Sequence, residues 1–333
     1  MRIAVTGSIA MDHLMAYPGR FADHLLADRL DRVSLSFLAE GLEIRRGGVG
    51  ANIALGLGRL GVRPLLAGAV GPDFGEYREW LEANGVDTGP VLVSDAHFTA
   101  RFVCTTDSEQ NQIATFYAGA MAAAREIRLA PLARVPGGLD LVVVAPDDPA
   151  AMVRHTEEAR ALGVPFAADP SQQLARLSAE EARGLVDGAG YLFTNEYEAG
   201  LLRKLTGWDE PEILARVGGW LTTLGEKGVS LARAGEPPLT VPAVPARRIA
   251  DPTGAGDAFR AGFLAGVAQG QPDERAARLG CGLATLALES VGTQEYALDP
   301  GELLDRLAGA YGPAAAEEAA PLLRGAVPPG RPA

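Results

Sequence analysis

Apolar positions fall into two rhythms along this chain. From about residue 139 onward, short apolar runs at 141–144, 164–168, 191–194 and 220–223 each give way to a turn or a polar segment. Runs of that length closed by turn residues read as buried strands. Strand followed by helix, repeatedly, predicts an α/β fold with a mostly parallel central sheet and helices on both faces. Nearer the N-terminus, Ile3-Ala4-Val5-Thr6-Gly7 reads as a first strand, 51–60 as a helix, 65–70 as a strand and 77–83 as a helix. The second rhythm is short alternating pieces such as Val33-Ser34-Leu35-Ser36-Phe37-Leu38, and residues 98–106 and 112–117, joined by the polar loop 107–111, again favour strands. Alternation suits strands with one open face. The expected division is therefore a core of 1–12, 46–96 and 119–324, and a small β-sheet lid of 13–45 and 97–118. A Pro- and Gly-rich tail from 325 to 333 is expected to be disordered.

Bulk properties remove several function classes. The 333 residues are 47% hydrophobic and 22% charged, as in an ordinary globular protein. A formal net charge of -12 argues against nucleic acid as a partner, which would call for a basic face. No apolar run approaches the length of a membrane span, and the N-terminus does not resemble a secretory signal. Cys104 and Cys281 stand alone and far apart, and the four histidines show no metal-ligand spacing. A soluble cytoplasmic protein is expected.

The candidate chemistry lies in glycine-rich turns. Gly56-Leu57-Gly58-Arg59-Leu60-Gly61 matches the dinucleotide-binding letters but lies inside a helical pattern, where packing is the expected role. Neither lysine, Lys204 or Lys227, is followed by Ser or Thr, so no Walker P-loop exists. In DPTGAGDAFRAGF, residues 251–263, Gly254, Ala255 and Gly256 precede a helix with Asp257 in its first turn. Bare backbone at a helix N-terminus suits an anion, and a carboxylate beside it suits a base that accepts a hydroxyl proton. An ordinary helix cap is the alternative. Arg46-Gly47-Gly48-Val49-Gly50-Ala51-Asn52 is a second glycine turn entering a helix. Asn195 and Glu198, three apart after a strand, suit either a hydrated magnesium ion or a capping box. Thr223-Leu224-Gly225-Glu226-Lys227-Gly228 suits the cover of a nucleotide or a plain connection.

Taken together and in this order, GGVGANIA, TNEYE and DPTGAGDAF resemble the signatures of the ribokinase-like (PfkB) carbohydrate and nucleoside kinases. The resemblance spans about residues 1–312; Pro252 departs from it, standing where many relatives carry Thr. GSIAMDHLM, VSLSFL, DPSQQLARL, LFTNEYE and ESVGTQE are similar to the actinobacterial adenosine kinases in particular. That resemblance implies ATP-dependent transfer to the 5′-hydroxyl of adenosine, giving AMP in purine salvage. Asp257 would be the base, and Gly254, Ala255 and Gly256 the anion hole. Ser8, Asp12, Ser36, Gly48 and Asn52 would line the ribose pocket. Phe102 and Phe116 would sandwich the purine, with Gln172 and Gln173 at its edge and Arg176 near the transferred phosphate. Asn195, Thr223, Gly225, Gly228 and Gly256 would contact ATP. Glu198, with Asn195, would position Mg2+ through water, and Asp251 and Thr253 are candidates for K+. A homodimer clasped through the lids is expected. The rivals are a ribose or fructose kinase of the same fold, which would need polar lid contacts in place of the aromatic pair, and an NAD-dependent oxidoreductase using Gly56–Gly61.

Overall fold

The structure is a computed structural model that describes residues 1–24, 32 and 34–327. Its centre is an eight-stranded sheet. β1 (Ile3–Thr6) lies in parallel between β4 (Leu65–Ala67) and β9 (Leu141–Val144). From β9 the sheet continues in parallel through β10 (Phe166–Ala168), β11 (Tyr191–Asn195) and β12 (Trp220–Thr223). At the far edge β13 (Val229–Ala232) and β14 (Leu239–Val241) run antiparallel.

Every residue of β1 and β9 is buried, as strands covered on both faces require. Period-two alternation splits them between two cores. Ile3, Val5 and Val143 pack with the helices Val49–Arg59, Ala255–Ala268 and Asp273–Leu288. Ala4, Val142 and Val144 face Met152, Leu185 and Leu202 on the opposite side. The glycine motif at 56–61 belongs to this packing. A Cβ on Gly56 would lie 2.5 Å from that of Ala261, and one on Gly58 2.3 Å from the Asn84 carbonyl oxygen. Those glycines let helices approach; they form no loop for a dinucleotide.

A second, four-stranded sheet stands outside this core in the order β3 (Gly41–Gly47), β2 (Ala10–Ala16), β7 (Ala100–Thr106) and β8 (Gln112–Tyr117). It begins at Ala10, so Asp12 sits in this sheet and not in the core segment expected to end there. Gly68 splits the apolar run 65–70 into β4 and β5 (Ala69–Val70), the latter pairing with β6 (Leu92–Val93). A Cβ at Gly68 would meet the Gly7 carbonyl oxygen at 2.6 Å.

Two expectations need correction. Residues 34–39 form no strand despite their alternation. Ser34, Leu35, Ser36 and Leu38 are exposed and pair with no strand among the described residues, and alternation without a partner does not make a sheet. The start of the tail is ordered: the Val327 N–H donates to the Arg59 carbonyl at 2.8 Å, and Ala326 packs on the core. Val33 and residues 328–333 lie outside the described residues. Among the described residues no helix is long and apolar enough to cross a membrane.

Candidate active site

Beyond the carboxyl ends of β1, β9 and β10 lies a cavity of about 460 Å3, walled on one side by the second sheet. Ligands of open α/β sheets bind at this end of the strands. Asp257 reaches the cavity from the first turn of the helix Ala255–Ala268. The turn before that helix depends on Gly254, which adopts φ 79° and presses so close to Thr293 that a Cβ would come within 2.8 Å. The N–H groups of such a first turn favour negative charge, and that of Ala255 makes only a long 3.4 Å bond, to the Pro252 carbonyl.

Burial raises the Asp257 carboxyl from the ordinary aspartate range to about 6. The Arg260 guanidinium and the Asn52 side chain oppose that rise, while Asp169 and Glu198 add to it. Asn52 donates from Nδ2 to Asp257 Oδ2 at 2.8 Å. The group is thus ionised near neutrality yet close enough to its titration to accept a proton readily.

The other sugar-side candidates converge on the same space. Ser8, Asp12, Gly48 and Asn52 all line the cavity. Gly48 has φ 95°, and a Cβ there would strike the Ser8 carbonyl oxygen at 2.6 Å. Ser8 Oγ accepts from the Val49 N–H at 3.1 Å, which steadies the turn into the helix Val49–Arg59. Asp12 is pushed up to about 6, by burial first and then by the charge of Asp251. Ser36 is the exception: it is exposed in the irregular stretch 34–39 and does not line the cavity.

Register builds the opposite wall. Asp12 pairs with Phe102, and Phe102 with Phe116, across β2, β7 and β8. Directly opposed residues share one face of a sheet, so the carboxylate and two rings form a single row, and all three line the cavity. The rings stand as side-by-side neighbours of one wall. From β10 a 3-10 segment, Ser171–Ala175, brings in Gln172 and Gln173, and Arg176 follows it; all three line the cavity. Gln173 donates from Nε2 to the Asp147 carbonyl at 2.7 Å.

The sequence reading missed what anchors that segment. Arg260 Nε and Nη2 lie 2.6 and 2.8 Å from the two oxygens of buried Asp169, and Nη2 also donates to Ser171 Oγ at 3.1 Å. This buried ion pair, closed by the hydrogen bond from Nη2 and sharing Ser171 as a third partner, ties the base-side segment to the helix that carries Asp257. Its signal was present: Asp169 opens DPSQQLARL, and Arg260 stands one helical turn after Asp257.

The ATP-side candidates lie elsewhere. Asn195 and Thr223 are neighbours at the carboxyl ends of β11 and β12. Gly225, with φ 60°, has open space around it, whereas Gly228 is buried with φ 99° and would drive a Cβ to 2.1 Å from the Val241 carbonyl oxygen. Gly228 is thus required by the chain's own packing against β14. None of these four lines the cavity. Asn195 and Glu198 form the capping box: each side chain accepts the other's backbone N–H, at 2.8 and 2.7 Å. The Asn195 side-chain oxygen thus caps the helix Glu196–Thr206, and its second lone pair is left for a metal-bound water.

Glu198 does fit a hydrated cation. Burial and the nearby Asp169 raise its carboxyl, against the Asn195 N–H and Arg260, so a divalent ion beside it would relieve the cost of its charge. No group of three or more His, Cys, Asp or Glu among the described residues forms a metal cage. One carboxylate with waters and substrate phosphates is the usual way to hold Mg2+. At the K+ candidates, Asp251 Oδ1 accepts from the Thr253 N–H and Oδ2 from the Gly292 N–H, and these bonds hold the carboxyl low despite partial burial.

Residues 2–299 match the profile of the pfkB family carbohydrate kinases. This chain belongs to that family. It is 35% identical over 271 residues to a nucleoside kinase of Methanothermobacter thermautotrophicus, covering 80% of this chain and 85% of that one. A ribokinase of Bacillus subtilis is 28% identical, with 88% and 94% covered. Among solved structures, Burkholderia thailandensis nucleoside kinase in complex with inosine superposes with a TM-score of 0.80 at 35% identity, covering 93% of this chain and 98% of that one. The ribokinase-like fold expected from the sequence is thereby shown, and with it a PfkB-type kinase phosphorylating a nucleoside or a sugar. Kinases of this family use ATP and Mg2+.

Proposed function

We propose that this pfkB family kinase transfers the γ-phosphoryl group of ATP to the 5′-hydroxyl of adenosine, giving AMP. The observation that carries the reading is the single row of Asp12, Phe102 and Phe116 facing a cavity that also receives Asp257. A vicinal diol can donate to the Asp12 carboxylate and accept the second Nδ2 hydrogen of Asn52, and a flat base needs the apolar wall beside them. The second sheet then serves as a lid, and the polar contacts that a free sugar would need on that wall are replaced by rings. Similarity to nucleoside kinases, one of them seen with inosine, supports a purine nucleoside.

In this mechanism Asp257 accepts the 5′-hydroxyl proton as the new O–P bond forms and the bond from the γ-phosphorus to the bridging oxygen of ADP breaks. Backbone N–H groups of Gly254, Ala255 and Gly256 stabilise the charge on the transferring group. Arg176 faces the same cavity and compensates the phosphate after transfer. Glu198, with Asn195, would hold a hydrated Mg2+ through water, and the ion would supply positive charge against the nucleotide's phosphates. Gln172 and Gln173 read the base edge, and Thr223 and Gly225 carry the nucleotide on the open shelf beside the cavity. K+ at Asp251 and Thr253 is tested by replacing it with Na+.

The outer face of the second sheet carries Leu42, Ile44, Ile113 and Tyr117, all exposed. A second copy of the chain packed there forms the expected homodimer, which sedimentation tests; a monomer at micromolar concentration would rule it out.

The deciding experiment is ATP consumption with Mg2+ across adenosine, guanosine, inosine, ribose and fructose. Turnover confined to adenosine supports the reading. Preference for inosine or guanosine keeps the purine wall and changes the role of Gln172 and Gln173. Turnover on a free sugar alone overturns the reading of Phe102 and Phe116.

A further inference from the structure

A chain of buried polar side chains runs from Asp257 away from the cavity, and each link is oriented by the next. Asn52 donates to Asp257 through Nδ2, while its Oδ1 accepts from Gln294 Nε2 at 2.9 Å. The Gln294 Oε1 accepts from the Trp80 indole N–H at 3.1 Å, and its Nε2 also bonds the Tyr77 hydroxyl. Tyr77 in turn donates to the Gly47 carbonyl at 2.7 Å. Asn52, Tyr77, Trp80 and Gln294 are all buried.

Amides are symmetric enough in shape to flip, so something must decide which end faces which partner. An indole N–H can only donate. It therefore fixes the Gln294 oxygen toward Trp80 and the Gln294 amide toward Asn52. Tyr77 agrees independently, because its one hydrogen is committed to a carbonyl and its oxygen must accept. With Gln294 presenting N–H, Asn52 must answer with its oxygen, which leaves only its N–H for Asp257. The reversed arrangement would set donor against donor at Gln294 and oxygen against carboxylate at Asp257. Thr293 Oγ1 can give its one hydrogen either to the same Asn52 oxygen, 3.0 Å away, or to the Arg46 carbonyl, 3.1 Å away, and so does not decide the matter.

We infer that Trp80 and Gln294 are positioning residues, which set the polarity of the hydrogen bond from Asn52 to the catalytic carboxylate without touching substrate. The inference rests on Asp257 as the base. The remaining groups acting on that carboxyl are Arg260, Asp169 and Glu198, and none of them touches the relay. Tyr296 feels the Asp257 charge, but its hydroxyl makes no hydrogen bond to that carboxyl.

The test uses Gln294→Met, which keeps length and removes both polar ends, and Trp80→Phe, which keeps the ring and removes the N–H. Loss of the fixed donor raises the Asp257 carboxyl by about one unit, given the usual strength of a hydrogen bond to a charged group. In Gln294→Met, kcat/KM then falls about fivefold at pH 6 and recovers toward wild type by about pH 8, by titration arithmetic on that one-unit shift. Trp80→Phe gives a smaller shift in the same direction, because Tyr77 still holds Gln294. A structural defect alone would lower activity at every pH. The carboxyl is also followed directly by 13C NMR titration of Asp-labelled enzyme, with Asp257→Asn identifying the resonance. If Gln294→Met fails to fold, the Trp80→Phe titration decides the matter. An unmoved Asp257 titration in a folded variant overturns the relay even if the enzyme is a kinase. If the wild type phosphorylates nothing in the panel, the functional reading fails, and a shifted resonance still upholds the relay.

Discussion

The two halves of this kinase's site are built on different principles. On the proposed acceptor side, Asp257, Asn52 and Gln294 are bonded to one another away from solvent, and Asp169 and Arg260 lock the neighbouring segment. On the proposed donor side, Asn195 and Gly225 are exposed beside Thr223, and Asn195 and Glu198 form a helix cap. Selective chemistry and proton acceptance need pre-set side chains in a dry cavity. Gripping phosphates needs mainly backbone N–H groups, which helix and strand ends supply without any particular side chain.

That contrast breaks first at Asp257. Asp257→Asn is expected to lower kcat by about 10²–10⁴-fold while adenosine still binds, measured by turnover and calorimetry. Near-normal turnover would end the assignment. Next comes the lock: Arg260→Leu leaves Asp169 buried and unpaired, and is expected to cost about 3–5 kcal/mol of stability in denaturant unfolding. On the base wall, Phe102→Ala or Phe116→Ala should raise the adenosine KM by about 5–100-fold with little change for ATP, following the strength of base stacking. The wild-type pH profile sharpens the same point. With Asp257 raised to about 6, the working form is the carboxylate, so kcat/KM should fall as pH drops through that value and level off above it. A profile flat down to pH 4 would show that no such carboxyl is needed. The smallest effect belongs to the shelf. Gly225→Ala, facing open space at φ 60°, is expected to cost about 1–2 kcal/mol of stability and to change the ATP KM only slightly.

What could be read from the chain follows the range of the interactions. Strands 141–144 and 220–223 are bounded as their apolar runs predict, because burial of a strand on both faces is written in consecutive residues. The glycine turns at 48 and 254 were legible for the same reason, since a positive φ is a local demand. The alternating stretch 34–39 misled because alternation describes a face and says nothing about a partner strand. Asn195 and Glu198 supported two readings at one spacing, and the structure shows the cap. The Asp169–Arg260 lock and the Trp80–Gln294–Asn52 relay join residues 91, 214 and 242 positions apart, which no local pattern encodes.

Gly7, Ser8 and Ile9 are all that separates β1 from β2, so the sheet bearing Asp12 hangs directly from a central strand of the core. Asp12, Phe102 and Phe116 are fastened into that one sheet by continuous backbone pairing. Any tilt of the sheet therefore carries all three by the same angle, as a door carries its handle and its panel. Under the proposed function, a nucleoside held by Asp12 and the two rings would ride that door toward Asp257 or away from it as a whole. Weakening its grip at one end alone leaves the other still attached.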